Sequence, residues 1–497
     1  HVNHENGGDR STAKYLLNNT GMRENDFSLT LGYSRNAWRF ETGYSLFAQK
    51  IGVMQSAQMG NEQLLQERIR LGQPVDFTPF SRHIDYPFQQ ITHHNVYFKA
   101  FFDHEKIGHF AFQSTFQQDN RRENRIRRLN HSDIPTVSLH LNSLQNSLVW
   151  NKGYQHWKSE AGAQLLITDN TNERGTGVVP IIPNYTEVAF GLYALQKYTA
   201  DRWGMEAGVR FDGQQTKADG YDWTGRRYGG KRDFANFTYS LGGHYHINKQ
   251  LKLTSHFGVA WRAPHVYELY SNGNELSSGI FVKGDSTLLS EQSYKWISSL
   301  KYASKYFDVQ LDGYLQWINN YIFDQPTGRN ITVISGAYPV FQYRQTRAFF
   351  QGVDLDAHVR PLSSLDYHLV TAMIWAREMP SHAYLPYIPS FRLTHSLTWS
   401  LPFFKAFSPK LGLTHRFVAK QTRFNPATDL IANSPEVYHL MGFDVSFSVP
   451  MREGQSLRVG LMGDNILNRE YKEYTNRSRY YAHDMGRDVR CMITWNF

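Results

Sequence analysis

Apolar residues in this chain recur at every second position, in segments of about ten, and that period of two constrains the fold more than any other feature. In Asp488-Val489-Arg490-Cys491-Met492-Ile493-Thr494-Trp495-Asn496-Phe497 one face carries Val489, Cys491, Ile493, Trp495 and Phe497, and the other Asp488, Arg490, Met492, Thr494 and Asn496. Phe27, Leu29, Leu31 and Tyr33 repeat the pattern, as do Trp38, Phe40, Thr42, Tyr44 and Leu46. So do Phe190, Leu192 and Ala194, then Phe237, Tyr239 and Leu241, then Phe443, Val445 and Phe447. An apolar face backed by a polar one, with aromatics towards the end, is what a strand needs to cross a bilayer beside a polar lumen.

Roughly 19 such segments can be counted. They lie near 26–35, 37–49, 91–103, 106–118, 138–151, 154–168, 185–199, 202–212, 234–247, 250–260, 291–303, 305–320, 340–360, 364–378, 390–402, 406–419, 437–448, 455–465 and 487–497. The connections alternate. Arg35-Asn36-Ala37, Asn151-Lys152-Gly153 and Asn248-Lys249-Gln250 are short, whereas 50–90, 119–137, 213–233, 261–290 and 466–486 are long. Short periplasmic turns and long extracellular loops are the outer-membrane arrangement. The expectation is an all-β chain whose residues 1–497 form one large antiparallel transmembrane β-barrel.

Composition fits that reading. Aromatics make up 15% of residues, yet mean hydropathy is only -0.53. No stretch approaches the roughly 18 apolar residues of a membrane helix. A barrel strand escapes that test because only alternate residues touch lipid. Cys491 is the single cysteine, so no internal disulfide is available, and no secretory signal begins at His1. A soluble propeller would show a repeated blade motif, and none is present.

Parity adds a constraint. Bacterial barrels have even strand numbers, and an open edge in lipid leaves backbone groups unsatisfied. If the last strand descends to a periplasmic C-terminus, counting back places residue 1 on the outer side. An odd number of strands is then expected before His1, and three would make 22 in all.

Two stretches carry a resemblance. Trp261-Arg262-Ala263-Pro264-His265-Val266-Tyr267-Glu268-Leu269-Tyr270, followed by Gly284-Asp285-Ser286-Thr287-Leu288-Leu289-Ser290-Glu291, resembles the mid-barrel signature of TonB-dependent outer-membrane receptors. Asp464-Asn465-Ile466-Leu467-Asn468-Arg469-Glu470-Tyr471, then Gly486-Arg487 and a final strand ending at Phe497, resembles their C-terminal segment. Residues 19–24, 52–61 and 180–185 are similar to a narrower group, the ferric-citrate-receptor-like proteins of Bacteroidetes. The resemblance implies a 22-stranded barrel filled by an N-terminal plug, which has no counterpart here. It also implies energisation through the plug by the TonB–ExbB–ExbD complex, no resident cofactor, and a surface lipoprotein as a further partner. Nothing points to nucleic acid.

The long loops are basic and aromatic. Arg121, Arg122, Arg125, Arg127 and Arg128 give five arginines in eight residues. Tyr343, Arg344 and Arg347 form a second cluster, and Arg477, Arg479, Tyr480 and Tyr481 a third. Guanidinium groups among phenols suit a planar, anionic, aromatic solute, by charge-assisted hydrogen bonds and stacking. A ferric siderophore captured by these loops is therefore the expected cargo. The same arginines could instead meet lipopolysaccharide phosphates. Heme is the rival cargo, but Tyr267 to Asp285 contains none of the histidines that the family's heme receptors place there. His265, His83, His93, His94, His131, His382 and His483 are the histidines that remain for it. Cobalamin gives less reason for the arginines, and a passive porin does not explain the receptor motifs.

Catalysis is not expected. Neither a Gly-x-Ser-x-Gly elbow nor a His-Glu-x-x-His pair occurs. Asp354 and Asp356 share one face of a strand and are read as barrel wall. No metal-ligand set is read in the sequence.

Overall fold

The computed structural model describes residues 1–127, 131–222, 224–401, 407–451 and 454–496. Every alternating segment anticipated above is a strand, from Met22–Arg35 to Asp488–Asn496. They lie in one 22-stranded sheet. Two members, Asn272–Glu275 and Ile280–Lys283, are a short hairpin within a loop, and the second pairs in parallel with Gly336–Leu362. The other 20 run antiparallel, each beside the next in chain order, and form the wall of a large β-barrel. No helix among the described residues is long and apolar enough to cross a membrane.

The alternation sets the faces. Leu192 lies opposite Phe211, and Phe211 opposite Phe237, on the outward face. From Leu241, on the same strand as Phe237, the row continues through Phe257, Trp296 and Leu315 on the next three strands. These large side chains stay exposed because their partner is lipid; Leu192 is 56% and Phe237 55% exposed. At the short-turn end a girdle of rings runs from strand to strand. Trp38 meets Phe102 at 4.6 Å, and Tyr198 meets Trp157 at 4.9 Å and Trp203 at 5.1 Å. Amphipathic rings favour the bilayer interface, so this row marks one edge of the lipid belt. The inward face is polar: Arg210 is bound to Asp212 and Gln164, and Gln316 to Ser293.

Several strands outrun the alternating segments at the long-loop end. Trp203–Tyr221, Phe307–Val333 and Gly336–Leu362 rise well beyond the lipid belt. Above lipid both faces meet water or loops, so the period of two fades while the hydrogen-bond ladder continues. The Asn151–Gly153 turn is also displaced, because the strand runs on to Tyr154 and the chain turns at Gln155-His156. His93 and His94 lie within strand Phe88–His104 and not in a loop.

One expectation about the start of the chain is corrected. Val2–Gly7 is itself a strand, antiparallel to the upper part of Met22–Arg35, with Val2 opposite Phe27. The His1 ammonium donates to the Ser28 carbonyl at 2.9 Å, so residue 1 lies in the wall and not outside it. Polar residues at 3–6 left no alternation to read there.

The sheet curls so that its first and last loops clasp. Asn468 donates to the Ala13 carbonyl at 2.9 Å, Lys14 meets Glu470 at 2.6 Å, and Tyr15 bonds His483 at 2.9 Å. Asn465 and Asn468 take positive φ, +46° and +53°, where the chain leaves the wall. Asparagine tolerates that conformation better than other side chains with a Cβ, which explains its place in the C-terminal motif.

Candidate solute-capture site

The two sequence motifs are fastenings. Arg262, at the upper end of strand Leu251–Arg262, meets Glu268 at 2.6 Å and Glu291 at 2.9 Å. Glu268 also accepts from the His265 backbone at 2.8 Å, closing a capping box on the short helix Val266–Tyr270. Pro264 lies between Arg262 and this cap. Leu269 and Tyr270 are buried with Val266, Ile182, Tyr185 and Leu288. The box thus nails a long loop to the wall. Below it lies a cavity of about 620 Å³ on the inner wall, lined among others by Glu187, Arg210, Asp212, Trp261, Pro264 and His265. Trp261 donates to Asp212 at 3.1 Å across its floor. At the other motif, Asn465 caps the Arg469 carbonyl at 2.8 Å, and the Tyr471 ring packs 4.6 Å from Tyr438.

The long loops converge over the barrel mouth, and their centre is an ionic network. Arg477 is bidentate to Asp324, with one bond of 2.8 Å, and lies over the rings of Phe341 and Tyr387 at 5.0 and 4.7 Å. Arg479 is paired with Asp429, donates to the Tyr474 carbonyl at 2.9 Å and lies 4.4 Å over Tyr480. Tyr480 donates to Asp429 at 2.8 Å and bonds Tyr387 at 3.0 Å. Burial pushes the Tyr480 and Tyr481 hydroxyls well above the ordinary phenol range, so they stay protonated donors. The same desolvation lowers the Lys472 ammonium to about 8.

This arrangement corrects the sequence reading of several residues. Arg479 is 1% exposed, and Tyr480 and Tyr481 are 0% exposed, so none of them offers a surface to a solute. They hold the loops together. Arg125 is also buried, donating to Tyr338 at 3.2 Å and to the Asn274 carbonyl at 3.1 Å. Arg127 ties its loop to the Thr176 carbonyl at 2.7 Å. Arg121 is bonded to Glu123, Arg122 stands near Glu173 at 3.8 Å and Arg344 meets Glu378 at 2.8 Å, yet all three keep over a third of the side chain exposed and stay open to a solute. Arg128 and Phe497 lie outside the described residues. Sequence alone could not have shown this, because the compensating carboxylates Asp324, Asp429 and Glu378 are distant in the chain.

Half-buried groups remain beneath the network. The Tyr267 and Tyr343 rings meet edge to face with centroids 6.1 Å apart. Burial, then Asp324, raises the Tyr343 hydroxyl above its usual range; burial, then Glu275, does so for Tyr267. With Arg477, they are the phenol and guanidinium groups that a solute could reach there.

A second basic set was only partly anticipated. Arg347 is exposed and has no charged partner among the described residues. Arg377 lies opposite Phe349 in register and 4.7 Å over Tyr384, and Arg423 lies 5.3 Å over Trp375. Phe349 packs 5.1 Å from Trp317, which is on the lipid face. Arg347 and Arg377 share that outward parity, so this uncompensated patch faces away from the lumen, just above the lipid belt.

A family model described as TonB dependent receptor-like, beta-barrel, matches residues 3–466. A TonB-dependent heme receptor A of Haemophilus influenzae is 21% identical over 356 residues, 64% of this chain. The chain spans 46% of that curated relative's length. Among solved structures, the copper transporter OprC superposes with a TM-score of 0.76 at 13% identity, over 98% of this chain and 74% of that one. The FrpB iron transporter of Neisseria meningitidis (F3-3 variant) gives 0.71 at 12%, over 99% and 75%. At such identities the structural likeness speaks for the fold alone.

Proposed function

This chain belongs to the TonB-dependent receptor β-barrel family, and from that premise we propose that it carries an iron-bearing chelate across the outer membrane, a ferric siderophore in the first instance. The observation that carries the reading is the half-buried set Tyr267, Tyr343 and Arg477, held beneath a loop network over a lumen too wide for its own side chains to fill. Phenol and guanidinium donors there suit an anionic, aromatic chelate.

Energy would come from the TonB complex through a plug lying inside the barrel. The family and the relatives named above are receptors and transporters. Backbone ladders at Asp488–Asn496 run to Ser456–Asp464. The lower half of Met22–Arg35 pairs with Trp38–Gly52 alone among the described residues. Edges of this kind are costly in lipid, so further strands would complete the wall at that seam. The long loops would lie outside the cell and the C-terminus in the periplasm. The outward patch of Arg347, Arg377 and Arg423 would meet lipopolysaccharide phosphates.

Heme is the second reading, favoured by the name of the curated relative. Equilibrium binding separates the two. The whole receptor should bind one ferric siderophore from a panel of catecholates, hydroxamates and citrate, and Tyr343→Ala or Arg477→Ala should weaken it. Binding of hemin alone, with a Soret shift, would replace the siderophore reading by the heme one.

A further inference from the structure

Inside the lumen, near the short-turn end and far from the loop network, three side chains converge that the proposed uptake does not use. His358 and His368 stand directly opposite each other on adjacent strands, and Asp356 is two positions further along the same inward face. The imidazole rings stack with centroids 3.9 Å apart and 7° between planes. The His368 Nε2 is 3.1 Å from the Asp356 Oδ1, and the His358 Nε2 is 3.9 Å from the same oxygen. All three donor atoms lie within 4.8 Å of one another.

We propose that Asp356, His358 and His368 bind a divalent transition-metal ion on the inner wall of the barrel. The donor set is two imidazoles and one carboxylate, the chemistry chosen by zinc and its first-row neighbours over calcium or magnesium. Ligand atoms about 2.1 Å from a common ion lie roughly 3 to 4 Å apart, which separations of 3.1 and 3.9 Å match, and the two parallel rings must tilt for both lone pairs to meet one ion.

An independent observation supports the assignment. The His358 Nδ1 is bonded to Asp366 at 2.8 Å, and Arg360 holds that carboxylate from its other oxygen, also at 2.8 Å. A ring nitrogen that donates to a carboxylate leaves the opposite nitrogen with its lone pair, here 3.9 Å from the Asp356 oxygen. This carboxylate–histidine support is how metal-bound imidazoles are oriented. Asp312 and Asp354 face each other one step further up, near Lys295, and Asp308, opposite His358 in register, is paired with Lys301 at 3.8 Å. The two histidines are 31% and 33% exposed at the side chain, so water and ions in the lumen reach them.

Histidines elsewhere give the natural control. His395, His415 and His439 form a hydrogen-bonded row, 2.8 and 3.0 Å, on the outward face. That row is linear and has no carboxylate among its members.

The test is a titration of the full chain, free of any histidine tag, with Zn²⁺ by calorimetry and with Co²⁺ by its visible absorption. One saturable site is expected. His358→Ala and His368→Ala should each abolish it, while Asp366→Asn should weaken it about 10- to 100-fold. The triple variant His395→Ala, His415→Ala, His439→Ala should leave it unchanged. Heat-modifiable gel mobility would show that each variant keeps its barrel. The proposal is overturned if the wild type shows no saturable site below millimolar, or if the double variant His358→Ala, His368→Ala binds like the wild type. It is equally overturned if the outward triple variant is the one that loses the ion.

Discussion

Replacing Arg479 by methionine should loosen the loops over the mouth without disturbing the wall. Arg479 and Asp429 are 1% and 3% exposed at the side chain, so the substitution strands a carboxylate in the interior. Asp429 would keep its bond from Tyr480 at 2.8 Å and a backbone contact from Ile431 at 3.2 Å, and nothing positive. Breaking a buried pair in this way costs about 3–5 kcal/mol. At about 1.4 kcal/mol per decade, the open population of these loops should rise by roughly a thousandfold. Hydrogen exchange at amides of 472–482 and 424–433 reads that population directly. The paired variant Arg479→Met, Asp429→Leu should recover most of the loss, because it removes the uncompensated charge. Exchange in Arg479→Met that is unchanged, or lost equally in strands such as Trp203–Tyr221, would refute the view that this pair is the local fastening of the loops.

Further outcomes follow from other contacts. Folding lowers Lys472 from the usual lysine value to about 8, so between those values the opened loop binds more protons than the packed one. Protection of 472–482, corrected for intrinsic exchange, should therefore rise with pH from about 8 towards 10 and stay flat below 8; Lys472→Met should remove that rise. Arg262→Ala leaves Glu268 and Glu291 facing each other with side chains 15% exposed, and because Arg262 is itself 43% exposed and partly screened, should cost only about 1–2 kcal/mol, read as protease cleavage within 263–290. Replacing Arg347, Arg377 and Arg423 together by Ser should reduce co-purified lipopolysaccharide while leaving solute binding intact; reduced solute binding with lipopolysaccharide retained would move this patch to the capture site.

Much of the wall was legible because lipid imposes a period of two on every strand it touches. Where lipid stops, the signal stops. Val2–Gly7, the upper reaches of Phe307–Val333 and Gly336–Leu362, and the hairpin Asn272–Glu275 with Ile280–Lys283 all lie beyond its reach. The helix Glu62–Leu71 lies inside the long 50–90 connection, and its ends are legible in the sequence. Asn61 accepts from the Leu64 amide at 2.9 Å as an N-cap, and Gly72 at φ +64° ends it. The arginine clusters misled for a different reason. Whether Arg479 is a free cation or a buried strut depends on Asp429, which sits on another loop. The pairing of His358 with His368 was hidden in the same way, since only the strand register brings them together.

The most direct test of the account is uptake of radiolabelled iron by cells carrying the whole receptor. Accumulation is expected from one ferric chelate, abolished by loss of the receptor or of TonB and reduced by Tyr343→Ala. Uptake that is indifferent to TonB, or absent for every ferric chelate and for hemin, would contradict it.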